Sequence, residues 1–104
     1  MDLLGRIKSA VVRGDVVFTE KARSELEQDN LLEIDVLESI LNAGDVRLKR
    51  SRNVHRRSPA EKVCIIEAIS YAGILIYTKG VLRREGGHDE IYVPISSKRS
   101  VASG

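Results

Sequence analysis

The sequence predicts an α+β domain in which N-terminal helices pack on a mainly antiparallel sheet of four to five strands. Three observations predict it. The apolar residues of the first 43 positions recur at helical spacing, and from Asp45 the period changes to the alternation of a strand. The longest apolar run, Lys62 to Thr78 (KVCIIEAISYAGILIYT), is dense in β-branched and bulky residues and breaks only at Tyr71-Ala72-Gly73. That is the pattern of two strands covered on both faces and joined by a tight turn. One helix over the same run would place Gly73 in its middle, at a cost of about 1 kcal/mol relative to Ala, so a hairpin is expected. At 104 residues the chain is expected to form a single domain, 1–104, with one core.

In chain order, Leu3, Leu4, Ile7, Ala10 and Val11 share a helical face, and Gly14 suits the left-handed position that ends the helix. The Arg13-Gly14-Asp15 tripeptide reads as a turn rather than an adhesion motif. Val16 to Phe18 predicts a very short strand. Thr19 caps a second helix, Glu20 to Asp29, with Ala22 and Leu26 inward. After a break at Asn30 to Leu32, Glu33 to Asn42 predicts a third helix whose buried stripe is Ile34, Leu37, Ile40 and Leu41. Gly44 marks its end. Strands are then expected over 45–50, 62–70, 73–79 and 90–96. Pro94 cannot donate to a ladder and points to a sheet edge or a bulge. Residues 97–104 are expected to fray.

Composition excludes several classes. Cys64, the one cysteine, allows neither an intrachain disulfide nor a cysteine zinc site and is expected in the core. No apolar run reaches the roughly 18 residues of a membrane span, and no signal segment is visible, so a cytoplasmic protein is expected. Charge is unevenly spread: residues 1–44 hold five Lys/Arg against nine Asp/Glu, a net of −4, and residues 45–104 hold twelve against six, a net of +6. The second half then faces a polyanion, or the two halves complement one another.

The chemistry, if there is any, lies in the basic groups. Arg47 to Arg57 reads RLKRSRNVHRR, with six Lys/Arg, one His and no acid. Such a strand edge and loop suits phosphates, an acidic protein partner, or solvent alone. A second group, Lys79, Arg83, Arg84, Lys98 and Arg99, brackets the last strand. The expected RNA contacts are Lys49, Arg50, Arg52, Arg56, Arg57, Lys79, Arg84 and Lys98. RNA cleavage needs a base for the 2′-hydroxyl, an acid for the leaving oxygen and cations for the phosphorane. His88 and Tyr92 are the expected proton-transfer pair, Arg83 the cation, and His55 the reserve. On one strand, residues 88 and 92 lie about 13 Å apart, so they share a phosphate only if the Gly86-Gly87 turn folds His88 back. No metal set, phosphate-cradling glycine loop or Ser/Cys nucleophile motif is present, and no cofactor is expected.

The segments FTEKARSEL, LEIDVLESILNAGDV and VCIIEAISYAGILIYTKG resemble those of a group of small bacterial proteins of unknown function. That group is similar in outline to the RelE-like, MqsR-like and BrnT-like toxins of type II toxin–antitoxin pairs. The resemblance spans roughly residues 16 to 96. It implies a helical layer on a curved antiparallel sheet and a metal-free messenger-RNA endonuclease, ribosome-dependent or free, held inactive by a cognate antitoxin over the basic rim. The chain departs from the pattern where those relatives carry His before Ala, since Lys21 precedes Ala22. The alternative expectation is a non-catalytic RNA- or protein-binding module on the same fold.

Overall fold

The computed structural model describes residues 1–49, 62–84 and 89–101. Three helices, α1 (Leu3–Arg13), α2 (Glu20–Gln28) and α3 (Glu33–Asn42), precede four strands, β1 (Arg47–Lys49), β2 (Val63–Ile69), β3 (Leu75–Arg84) and β4 (Glu90–Arg99). The strands form one antiparallel meander in the order β1-β2-β3-β4, with the helices packed on it. The α+β fold expected from the change of period at Asp45 is the one observed.

Local chemistry sets the helix ends. The Asp2 carboxylate accepts the Gly5 N–H at 2.7 Å, and Gly14 closes α1 in the left-handed region at φ 80°. Arg13 and Asp15 pair across that turn at 2.9 Å, consistent with reading the tripeptide as a turn. Thr19 caps α2 through the Ala22 N–H. Asn30, at φ 56°, ends it while the Leu31 N–H reaches back to the Leu26 carbonyl, the six-to-one bond of a left-handed helix terminus. The Asp35 carboxylate accepts the Leu32 N–H ahead of α3. Gly44 is not a left-handed cap: Ala43 ends α3 in extended conformation.

The core lies between helices and sheet. Ile7 and Ala10 of α1, Ala22 and Leu26 of α2, and Val36 and Ile40 of α3 meet Cys64, Ile66, Ala68, Ile76 and Tyr92. Cys64 is buried, as its apolar surroundings predict, and burial pushes its thiol pKa up. On α3 the inward stripe is rotated from the expected one. Val36, Ser39, Ile40 and Ala43 are buried, Leu37 and Leu41 are partly so, and Ile34 is exposed. Small residues let α3 lie close on β2, and the Ser39 hydroxyl is satisfied by the Val36 carbonyl at 2.7 Å, which removes the cost of burying it.

The strands also depart from their expected limits. β1 is three residues long and wholly exposed, without the core-facing side expected of it. β3 continues through Arg84 instead of stopping near Lys79, and β4 runs through Arg99, so residues 97–99 are ladder and not frayed tail. Val16 forms a single parallel bridge to Tyr92 in place of a strand. Around it Tyr92 N–H donates to Asp15, Val17 N–H to Tyr92 and Thr19 N–H to Pro94. Residues 15–19 thereby occupy the outer edge of β4. Pro94 sits at a register shift: Gly80 pairs with Pro94 but Lys79 with Ser96. Ile95 is therefore the extra residue of a bulge, and Ser96 faces the opposite side from Pro94 and Tyr92 rather than sharing theirs.

Candidate nucleic-acid interface

Because partners in an antiparallel ladder share a face, the register assigns every strand residue to one side. Cys64, Ile66, Ala68, Ile76, Leu82 and Tyr92 face the helices. The other face is built in rows. Lys49, Val63, Val81 and Val93 form one, Arg47, Ile65, Lys79 and Ser96 the next, and Glu67, Tyr77 and Lys98 a third. Arg83 and Ile91 extend it at one end, Ile69 and Leu75 at the other.

The centre of this face is apolar, with Ile65, Val81 and Val93 buried. Among the described residues, its charged side chains are five cations, Arg47, Lys49, Lys79, Arg83 and Lys98, and one carboxylate, Glu67. Glu67 is held by Arg47 at 2.7 Å and by the Ser100 hydroxyl at 2.5 Å. The Lys98 ammonium lies 5.6 Å from the centre of the Tyr77 ring, directly across the ladder, within range for a cation–π contact. The helical layer carries the opposite sign, with Glu20, Glu27 and Glu33 exposed on it.

Of the residues expected to contact RNA, Lys49, Lys79 and Lys98 share this face, together with Arg83, expected as the phosphorane cation. Arg84 does not. It pairs with Glu90 on the helical side of the sheet. Arg50, Arg52, Arg56, Arg57 and both histidines, His55 and His88, lie outside the described residues. Lys21, where the resembling group carries His, is exposed on α2.

Tyr92 is in the core at 0% exposure. Its hydroxyl, like those of Thr78 and Ser97, is buried without a hydrogen-bond partner among the described residues. Burial pushes its pKa well above the usual tyrosine range. In this conformation the phenol meets neither water nor a surface phosphate, so it does not join Arg83 in a proton-transfer site. Its place in the last strand puts Tyr92 beside the second basic group, but its pairing with Leu82 sets it on the face that packs against the helices.

Two contributors were missed: Tyr77 and Glu67. The signal was available, since Tyr77, Lys79, Val81 and Arg83 alternate at the period of a strand. Among the described residues no cluster of His, Cys, Asp and Glu could hold a metal, and no helix is long and apolar enough to cross a membrane. A comparison with protein-family models and with curated proteins finds no match. The functional reading rests on the geometry of this face.

Proposed function

We propose that this chain binds RNA through the outer face of its sheet and works in the cytoplasm as a toxin-type endoribonuclease, metal-free and restrained by a cognate antitoxin over the same face. The observation that carries the RNA reading is the segregation of charge. Five cations and one carboxylate occupy the outer face, while acidic side chains crowd the helical layer. A phosphate backbone meeting that face releases counterions at each Lys or Arg it engages, and arginine adds bidentate geometry.

Support for cleavage is chemical. His55 and His88 are the two side chains of this chain whose residue type changes charge near neutrality, and His88 is close in sequence to Arg83. With Tyr92 in the core, His88 and His55 carry the proton transfers of this proposal. The burial of Tyr92 favours a second reading, a non-catalytic RNA-binding module with the same phosphate contacts.

The test measures affinity for labelled single-stranded RNA across a salt series. Log affinity is expected to fall linearly with log salt, and the Lys49→Gln, Lys79→Gln double variant to flatten the slope by about 1.4, two phosphates at roughly 0.7 each. Absence of binding by the parent at low salt ends the RNA reading. Cleavage is then followed with a chelator present, alongside growth on expression. His88→Ala is expected to abolish both cleavage and growth arrest, because positioned proton transfer contributes about 10² to 10⁴-fold. A parent that binds RNA yet neither cuts it nor arrests growth is the non-catalytic module.

A further inference from the structure

The cations of the outer face are not evenly placed, and their spacing separates a place for a base from places for phosphates. Across β1, β2 and β3 the two rows containing Lys49, Arg47 and Lys79 hold no acid, and at the β4 edge the Ser96 hydroxyl donates to Glu25 of α2. The next row holds Glu67, Tyr77 and Lys98 across β2, β3 and β4. A phosphate is repelled from Glu67, whose side chain is 39% exposed, whereas a nucleobase is neutral and has a π-face for Tyr77. From this juxtaposition we infer that Tyr77 is the stacking platform of a nucleobase subsite, with Lys98 as its phosphate cation, and that the ligand of the sheet is single-stranded RNA. The inference rests on the RNA reading above and deepens it.

The geometry explains the division of labour. Lys98 is exposed and lies over the Tyr77 ring, so it covers the platform when the site is empty. A base that takes its place on the ring leaves the ammonium free to swing to the phosphate of the same nucleotide. Glu67 is fixed by Arg47 and Ser100 and keeps the backbone off the β2 end of this row, leaving the β4 end to Lys98. The strand rise puts Lys79 about 7 Å along β3 from Tyr77, on the same face, for a neighbouring phosphate. A duplex keeps its bases stacked internally and offers none to the ring.

The test compares oligoadenylate with an abasic ribose-phosphate oligomer of equal length, using the full chain. The parent is expected to bind oligoadenylate more tightly. Tyr77→Leu should weaken oligoadenylate roughly 5- to 150-fold, the range of one base–aromatic stack, and leave the abasic oligomer unchanged, which also shows that the variant is folded. Tyr77→Phe should retain the parental preference. Lys98→Gln should weaken both oligomers and flatten the salt slope by about 0.7. Equal oligoadenylate affinity in parent and Tyr77→Leu overturns the subsite while leaving the RNA reading intact. Equal loss of both oligomers in Tyr77→Leu overturns it too, since the ring would then be structural. A parent that binds neither oligomer removes the RNA reading itself.

Discussion

Tyr92 shows how burial decides the role of a side chain. Its hydroxyl is a buried polar atom without a partner among the described residues, so removing the oxygen alone costs little. Tyr92→Phe is expected to change stability by less than about 1 kcal/mol, in either direction, whereas Tyr92→Ala should lose about 3–5 kcal/mol through the cavity it leaves. Urea denaturation measures both. A loss above 2 kcal/mol in the Phe variant would show that the hydroxyl is bonded. At the helical edge, Glu90 pairs with Arg6, whose Nε lies 2.8 Å from the carboxylate. This hydrogen bond is the main cause holding the Glu90 pKa below the usual carboxylate range, with Arg84 and Arg13 adding to it. A depressed folded-state pKa means the contribution is present above the unfolded value near 4.3 and is lost as pH falls through the lower folded value. With the Arg6 side chain 45% exposed, it amounts to at most about 1 kcal/mol. Glu90→Gln should therefore flatten the acid limb of stability below about pH 4, and an unchanged acid limb rejects the assignment. None of this pairing was legible in sequence, because residues 6 and 90 meet only through the finished sheet.

The bulge in β4 governs more than its own residues. It turns Ser96 and Lys98 onto the outer face, and beside it Gly80 gives way to the Tyr92 ring. A Cβ at Gly80 would lie 2.7 Å from the ring's Cζ and Oη and 2.8 Å from the Val93 carbonyl oxygen. Gly80→Ala is expected to destabilise by about 1–3 kcal/mol, and the loss should shrink when Tyr92 is Leu. Calorimetry on the four combinations reads this coupling, and full additivity would show that ring and glycine do not meet. Sequence period placed every helix within a residue or two, and placed the hairpin as well. It missed the face of α3 because hydropathy ranks Ile34 above Ser39 and Ala43, whereas packing against β2 selects small residues. Pro94 announced an irregularity, but not which residue would be extra.

Across the whole molecule, the charge asymmetry between the halves of the sequence becomes an asymmetry between layers, acidic helices behind and basic sheet in front. That much was legible, since residues 1–44 make the helices and residues 45–104 carry the sheet. The rows on the outer face were not, because they depend on the register of four strands at once. The first thirty residues are also tied to the last strand: Arg6 to Glu90, Val17 to Tyr92, Glu25 to Ser96 at 2.7 Å and Asp29 to Arg99 at 2.8 Å. A chain ending at Asp89 is expected to lack cooperative unfolding and to exchange its α1 and α2 amides at the rate of an unfolded peptide; slow exchange there would show that the helices fold without β4. These ties also set an order of events during synthesis. Helices α1 and α2 emerge first and β4 follows more than sixty residues later, so at about 5–20 residues per second they wait seconds for the strand that anchors them. The basic face, to which β4 contributes Lys98 at its edge, is completed only after translation has passed Arg99.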